Sequence, residues 1–219
     1  MDSTAHWNQV YRTTAPEQVS WYQADPKVSL GLIRQAVPDT DAAIIDVGGG
    51  ASKLVDGLVS AGYRRLTVLD LSRVALTAAR ARLGAAAAAV RWIEGDILQV
   101  PLGTGEFDLW HDRAVFHFLT DPRDRQHYVA RVRDAVSPGG HVLIATFAPD
   151  GPSRCSGLDV ARYSPEALQA QLGSGFRLVT SVREEHSTPS GKTQPFTYGL
   201  WQADVTPSAK ADAEPPAVW

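Results

Sequence analysis

Short apolar runs alternate along this chain with longer segments of helical periodicity. The apolar runs show little polar alternation, so strands formed from them must be buried on both faces, as in a parallel sheet covered by helices. The predicted helices are residues 52–61, 72–83 and 123–136, and Pro138-Gly139-Gly140 is predicted to end the last one. The predicted strands are residues 43–47, 65–70, 90–94, 107–110 and 141–146.

Two more strand-like runs, residues 176–182 and 194–201, follow with no good helix between them. They predict an antiparallel pair that closes the sheet at one edge. Residues 1–203 are therefore expected to form a single α/β domain. Residues 204–219 contain Pro207, Pro215 and Pro216 among small residues, a composition typical of a flexible C-terminal tail.

The composition argues against several classes of partner. The formal net charge is -3 and the sequence pI is near 6.0, without a long basic run, so neither nucleic acid nor a membrane is an expected partner. No window approaches the ~18 apolar residues of a membrane helix, and no signal peptide is indicated. Cys155 is the single cysteine, which excludes an internal disulfide, and a cytoplasmic location is expected.

A glycine-rich segment follows the first predicted strand and precedes a helix: Asp46-Val47-Gly48-Gly49-Gly50. Glycines let the backbone turn sharply from strand to helix and let a ligand approach the main chain closely. By itself, the segment is also compatible with a tight turn that binds nothing. It indicates a nucleotide-like ligand only if neighbouring strand ends carry matching groups.

Two further acids stand at such strand ends. Asp70 closes the second strand, where a carboxylate can accept hydrogen bonds from both hydroxyls of a ribose. Asp96 follows the third strand, where it can accept from an adenine amino group while Ile97 offers the ring an apolar face. Each acid alone could be a surface loop residue, but three in series favour a ligand.

With these residues in place, the chain resembles the class I methyltransferases that depend on S-adenosylmethionine (SAM), from about Trp7 to Trp201. The resemblance implies a Rossmann-like three-layer α/β/α sandwich with a mostly parallel seven-stranded sheet and an antiparallel last strand. It also implies that residues 1–40 form a lid or cap. The motifs that carry it are Asp46-Val47-Gly48-Gly49-Gly50, Val68-Leu69-Asp70-Leu71-Ser72, Gly95-Asp96-Ile97, Phe107-Asp108-Leu109-Trp110 and Ser137-Pro138-Gly139-Gly140-His141.

The resemblance implies SAM as the cofactor, S-adenosylhomocysteine (SAH) as the product and no metal. One departure is Ser52, where many members have a third glycine; serine caps a helix well, so the loop should tolerate it. The implied cofactor-binding residues are Trp21, Asp46, Gly48, Gly49, Gly50, Ser52, Asp70, Leu71, Asp96, Ile97 and His111.

A nicotinamide dehydrogenase is the main rival with the same kind of fold. Its fingerprint requires a glycine where this chain has Lys53. Asp46 would also place a carboxylate close to a pyrophosphate, whereas the cationic end of SAM suits it. These two features favour the methyltransferase.

The acceptor side is predicted from the segment after the fourth strand. His111, Asp112 and Arg113 are the candidate catalytic residues, as a base or as groups that orient the acceptor. The alternative is structural: Asp112 pairs with Arg113, and His111 lies near the adenosyl group without doing chemistry. For His117, the structural interpretation is favoured.

Three other segments could contribute to the acceptor side. The loop 147–157 contains Cys155, which is either an apolar filler or a thiol facing the acceptor, the filler being favoured. Residues 184–188 either line this side or form a solvated hairpin. In the N-terminal segment, Trp21 and Tyr22 are predicted to shield the sulfonium, because aromatic faces attract cations.

Two acceptor classes compete. A small molecule methylated on sulfur, oxygen or nitrogen suits a short chain that has no charged docking patch. The alternative is a protein lysine, because residues 111–114 resemble the corresponding strand end of small lysine methyltransferases. A SAM-binding module without catalytic activity is the third hypothesis.

Overall fold

A computed structural model describes residues 3–205. Most of the predicted tail, residues 206–219 with Pro207, Pro215 and Pro216, lies outside the described residues. The helices are α1 (Ser3–Thr13), α2 (Lys27–Ala36), α3 (Leu54–Ser60), α4 (Arg73–Leu83), α5 (Pro122–Ala135) and α6 (Pro165–Leu172). The strands are β1 (Ala43–Val47), β2 (Arg65–Asp70), β3 (Val90–Glu94), β4 (Phe107–Arg113), β5 (Val136–Phe147), β6 (Arg154–Cys155), β7 (Leu158–Asp159), β8 (Phe176–Ser187) and β9 (Thr193–Ala203).

Seven strands form one sheet in the order β3-β2-β1-β4-β5-β9-β8. Strands β1 to β5 are parallel, and β9 runs antiparallel between β5 and β8. The order reverses at β1, and ligands of open α/β sheets bind at the carboxyl ends of strands beside such a point. The seven-stranded sheet and its antiparallel last strand confirm the fold predicted from the sequence.

Helices cover both faces of this sheet. Successive side chains of a strand point to opposite faces, so each central strand contributes to two cores. One core packs Ile44 and Leu109 against α2, α3 and α4. The other packs Ile45 and Trp110 against α5 and α6. The result is the three-layer arrangement that the continuous apolar runs required.

Four strands, β4, β5, β8 and β9, extend beyond their predicted bounds. β4 continues through Arg113, because β1 keeps pairing with it to Asp112 and β5 to Arg113. β5 starts at Val136 directly after α5, so the Pro-Gly-Gly triplet lies inside the strand instead of forming a separate turn. The pairing register of β4 with β5 shifts there, and Gly139 has a φ of +76°. α5 ends within one residue of its predicted end. The Pro-Gly-Gly turn predicted to follow it is instead an irregularity within β5.

The N-terminal segment has two parts. α1 packs across α4 at the carboxyl edge of the sheet, whereas α2 inserts the fully buried Ile33 into a core. The sequence analysis predicted neither helix, nor the short α6. No helix among residues 3–205 has the length and apolar character needed to cross a membrane.

A buried hydrogen-bond chain fastens α5 to β4. The Trp110 indole donates to the Tyr128 hydroxyl at 2.9 Å, and that hydroxyl donates to Asp112 Oδ2 at 2.5 Å. All three side chains are enclosed. Because a buried polar group without a partner is costly, this chain should contribute measurably to stability.

Replacing Tyr128 with Phe leaves the Trp110 N–H and one Asp112 oxygen without this partner. We expect Tyr128→Phe to lower the free energy of unfolding by about 1–3 kcal/mol, measured by urea denaturation. Tyr22→Phe is the matched control, because no hydrogen bond of the Tyr22 hydroxyl is seen among residues 3–205. An unchanged midpoint for Tyr128→Phe would contradict the role given to this hydroxyl.

Candidate functional site

The carboxyl ends of β1 to β4 open onto a cavity of about 500 Å³, within the usual range for small-molecule and cofactor sites. We call it the large cavity. A small cavity of about 50 Å³ lies on the α2 side of the same edge. Both are lined by Tyr11, Trp21, Gly48 and Arg113. The two spaces therefore belong to one site.

The glycine loop forms the floor where the two cavities meet. The N–H groups of Gly48 and Gly49 donate to the Leu69 carbonyl at 2.7 and 3.2 Å, which ties the loop to β2. Gly48 has a φ of +68°, and a Cβ added there would overlap the Val115 side chain. A Cβ on Gly50 would lie 2.7 Å from Asp70 Oδ2. Glycine is required at both positions.

Asp46 and His111 are neighbours by strand register. They are direct partners in the β1–β4 ladder, so their side chains emerge side by side. Since a carboxylate only accepts hydrogen bonds, His111 Nδ1–H donates to Asp46 Oδ1, at 2.7 Å. Nε2 forms a hydrogen bond with the Ser29 hydroxyl at 2.9 Å. With both nitrogens engaged, His111 is better suited to orienting Asp46 than to acting as the predicted base.

Asp70 lies buried at the end of β2 and lines the large cavity. Its Oδ1 accepts from the Ser72 N–H at 2.7 Å. Burial raises the pKa of this carboxyl to about 7, although backbone hydrogen bonds oppose the change. Its charge is therefore sensitive to pH in the neutral range.

The remaining predicted cofactor residues surround these acids. Leu71, Asp96 and Ile97 line the large cavity, and Asp96 Oδ1 accepts from the Leu98 N–H at 2.9 Å. Ser52 lines the small cavity, and its hydroxyl accepts from the Leu54 N–H at the start of α3. The structure thus brings the predicted set together around the two cavities, with Gly50 placed behind the lining.

Asp112 is separated from this group. Its side chain points to the α5 face of the sheet, is 0% exposed and accepts from the Val115 and Phe116 N–H groups as well as from Tyr128. It therefore holds a turn in which Ala114 adopts a φ of +72°. A catalytic role was predicted for Asp112, but this geometry favours a positioning role. The predicted pairing of Asp112 with Arg113 is wrong, because neighbouring side chains of a strand face opposite ways.

Arg113 points to the other face and lines both cavities. Its Nε donates to the Tyr198 hydroxyl at 2.8 Å, and its Nη1 donates to the Trp21 carbonyl at 3.0 Å. The Tyr198 hydroxyl donates in turn to Glu184. Residues 184–187 lie in the β8–β9 hairpin with one face solvated, because Glu185 is exposed whereas Glu184 is mostly buried.

Aromatic side chains form the roof. Trp7 and Trp21 pack edge to face, as do Trp7 and Phe118, and the Trp21 indole donates to the Tyr11 hydroxyl at 3.3 Å. All four side chains line the large cavity, whereas Tyr22 lines only the small one. His6 Nε2 lies 3.2 Å from the Ser156 hydroxyl, which joins α1 to the β6–β7 hairpin. The roof is thus attached on both sides.

Two predicted acceptor-side groups are buried. Cys155 lines the large cavity, and burial raises the pKa of its thiol to about 12, so it stays protonated. His117 is enclosed between Phe118 and Phe147. Burial lowers the pKa of its imidazole to about 3, so it is neutral. Neither group supplies a charge to the cavity.

Sequence reasoning missed several residues of the site. Ser29 and Tyr198 reach it only through tertiary packing, and no local pattern marks them, whereas Glu184 lies in the segment 184–188 that the sequence analysis had considered. Trp7 and Tyr11 lie in the aromatic-rich segment before the first strand, together with Trp21 and Tyr22. This richness in aromatic residues was the sequence signal that could have identified them. Among residues 3–205, no cluster of three or more histidine, cysteine or acidic side chains is arranged to hold a metal ion.

Comparison with known proteins agrees with this geometry. A family model described as a methyltransferase domain matches residues 44–140. An uncharacterized methyltransferase of Mycobacterium tuberculosis is 31% identical over 162 residues, which cover 72% of this chain and 73% of that protein. A ubiquinone/menaquinone biosynthesis C-methyltransferase of Roseobacter denitrificans is 28% identical over 156 residues. That alignment covers 67% of this chain and 61% of the relative, less than two thirds of its length.

More distant proteins are similar in sequence or in fold. An eEF1A lysine and N-terminal methyltransferase of Danio rerio is 22% identical over 151 residues, 68% of this chain and 22% of that protein. A structure from work on the conversion of a disulfide into a thioacetal in echinomycin biosynthesis has a TM-score of 0.76 at 19% identity, covering 94% of both chains. The N-methyltransferase NodS of Bradyrhizobium japonicum, in complex with SAH, has a TM-score of 0.68 at 18% identity, covering 92% of this chain and 99% of that one.

The raised pKa of Asp70 predicts pH-dependent cofactor binding. Ribose hydroxyls donate best to an ionised carboxylate, so affinity should fall as pH drops below about 7. We expect SAH to bind roughly tenfold more weakly at pH 6 than at pH 8, measured by calorimetry. Asp70→Asn should bind weakly at both pH values. Equal affinity of the native protein at pH 6 and 8 would contradict this assignment.

Proposed function

This chain belongs to the class I SAM-dependent methyltransferases, and we propose that its methyl acceptor is a small molecule. The observation that carries the proposal is the large cavity, a partly open space bounded by the glycine loop, the aromatic roof and the β6–β7 hairpin. Such a space fits a compact acceptor beside the cofactor, whereas a protein chain needs an open groove.

The residues at the carboxyl edge fit SAM. We assign the ribose hydroxyls to Asp70, and the adenine to Asp96 and Ile97 with Leu71 beside them. Gly48, Gly49 and Asp46, with Ser52 close by, are assigned to the aminoacyl end. Two observations support this assignment: the lack of room for a Cβ at Gly50 against Asp70, and the buried acid Asp46 in the small cavity.

When bound, SAM supplies a methyl group on a positively charged sulfur. The acceptor nucleophile would attack the methyl carbon in line with the carbon–sulfur bond, and the sulfur would leave. The residues of this chain align the acceptor and exclude water. Trp7, Tyr11 and Trp21 present aromatic surfaces to the large cavity, and such faces attract cations. We therefore propose that α1 and Trp21 act as the lid over the reacting atoms.

No histidine of residues 3–205 lines the large cavity. His111 contacts only the small cavity, with both ring nitrogens engaged, and Asp112 is enclosed on the opposite face of the sheet. Of the three predicted catalytic residues, Arg113 alone reaches the large cavity. We infer that the acceptor needs little help from a protein base, and that Arg113 orients it.

The named relatives support two acceptor classes unequally. The Roseobacter relative is a C-methyltransferase of quinone biosynthesis, which favours a small-molecule acceptor. Carbon is therefore a candidate acceptor atom besides the sulfur, oxygen and nitrogen considered from the sequence. The Danio rerio relative acts on a protein, and it keeps a lysine acceptor as the alternative. The roofed large cavity is the reason to prefer a small-molecule acceptor.

Labelled SAM distinguishes these functions. We expect the purified protein to transfer label from methyl-labelled SAM into a cell extract's small-molecule pool and not into its protein pool. Label confined to a protein band would favour the lysine methyltransferase instead. SAH binding without transfer to either pool would favour a binding module. Asp70→Ala, treated identically, is the control for transfer by a contaminating enzyme.

A further inference from the structure

A donor group at the site has no hydrogen-bond partner among residues 3–205. Arg113 Nη2 is buried and makes no hydrogen bond, although the side chain is only 10% exposed. The guanidinium is otherwise well held, by Tyr198 through Nε and by Trp21 through Nη1. It also lies over the Phe196 ring, with 4.2 Å from Cζ to the ring centroid. The charge is thus fixed in place while one of its donor groups has no hydrogen-bond partner among the described residues.

Glu184 does not satisfy this donor. Its Oε2 is 3.8 Å from Arg113 Nη2, beyond hydrogen-bond length. Both Glu184 oxygens accept from other donors, Oε1 from Gln23 Nε2 and Oε2 from the Tyr198 hydroxyl, each at 2.8 Å. Glu184 therefore orients the guanidinium and balances its charge at a distance, without occupying Nη2.

We propose that Arg113 Nη2 binds an anionic oxygen group of the methyl acceptor, so that the substrates are small molecules ionised at neutral pH. This inference rests on the proposed function, and it names the substrate class of the same site. Arg113 lines the large cavity together with Phe118 and Cys155. An acceptor with an apolar body and one anionic group matches this mixture of surfaces.

An anion fits this donor better than a neutral group does. A hydrogen bond between two ionised groups is shorter and about twice as strong as a neutral one. The acids assigned to the cofactor are on other strand ends, and the neutral Cys155 and His117 add no negative charge beside Arg113. Two other acids, Asp124 and Asp159, line the large cavity, and Asp159 is already paired with Arg154 at 3.1 Å. Among residues 3–205, Arg113 is therefore the one cationic side chain that lines the large cavity, and Glu184, 3.8 Å from Nη2, is the acid beside it.

The first test does not require the acceptor to be known. The small-molecule pool of a cell extract is split on an anion exchanger at pH 8, and each fraction is incubated with the enzyme and labelled SAM. We expect the label in the retained, anionic fraction. Label in the unretained fraction would overturn the anion proposal and leave the small-molecule function intact. Label only in the protein pool would overturn the proposed function itself.

The second test assigns the anion to Arg113. For the active anionic fraction, Arg113→Gln should raise the apparent KM roughly 10- to 100-fold, while Arg113→Lys should retain part of the affinity. SAH affinity, measured by calorimetry, should change little in either variant. Arg123→Gln, which makes the same charge change on an exposed side chain, is the matched control.

A purely structural role for Arg113 predicts a different result. Arg113 also holds the Trp21 carbonyl, so a collapsed roof would weaken SAH binding and lower kcat together. Parallel losses of this kind, with no selective rise in KM, would overturn the proposal. A native KM in Arg113→Gln would overturn it as well.

Discussion

The parallel pairing of β1 with β2 and β4 is the constraint on which the site depends. It brings the carboxyl ends of these strands to one edge, so Asp46 and Asp70 become neighbours in one site, Asp46 lining the small cavity and Asp70 the large one. Register does the rest: Asp46 and His111 are direct ladder partners, which makes their hydrogen bond a consequence of strand alignment. The glycine loop then closes over Asp70 because Gly48 and Gly49 are tied to β2.

Strand alternation divides the end of β4 into two sets of groups. His111 and Arg113 face the cavities, whereas Asp112 faces α5 and holds the turn that follows. One strand thus supplies both the ligand-facing groups and the support that positions them. The same alternation explains why Asp112, although next to Arg113 in the sequence, does not pair with its guanidinium. Glu184 of β8 orients the guanidinium instead, through Tyr198.

Much of this was predictable, because the signals are local. Apolar runs locate β1 to β5, and Gly48 and Asp70 mark the cofactor side at the strand ends. The contacts of Arg113 were not predictable, because Tyr198 and Trp21 approach it from distant elements. β4 continues beyond its predicted end because it pairs with β1 and β5. The sequence of that segment alone does not show these partners. Short helices such as α6 carry too few residues for a clear period.

If the acids at this edge bind SAM and Arg113 faces the acceptor, a crystal structure of the complex with SAH should show both ribose hydroxyls within hydrogen-bond distance of Asp70 and the adenine beside Asp96 and Ile97. Arg113 Nη2 should not contact the ligand. SAH bound with its ribose away from Asp70, or with its carboxylate on Arg113, would contradict these assignments.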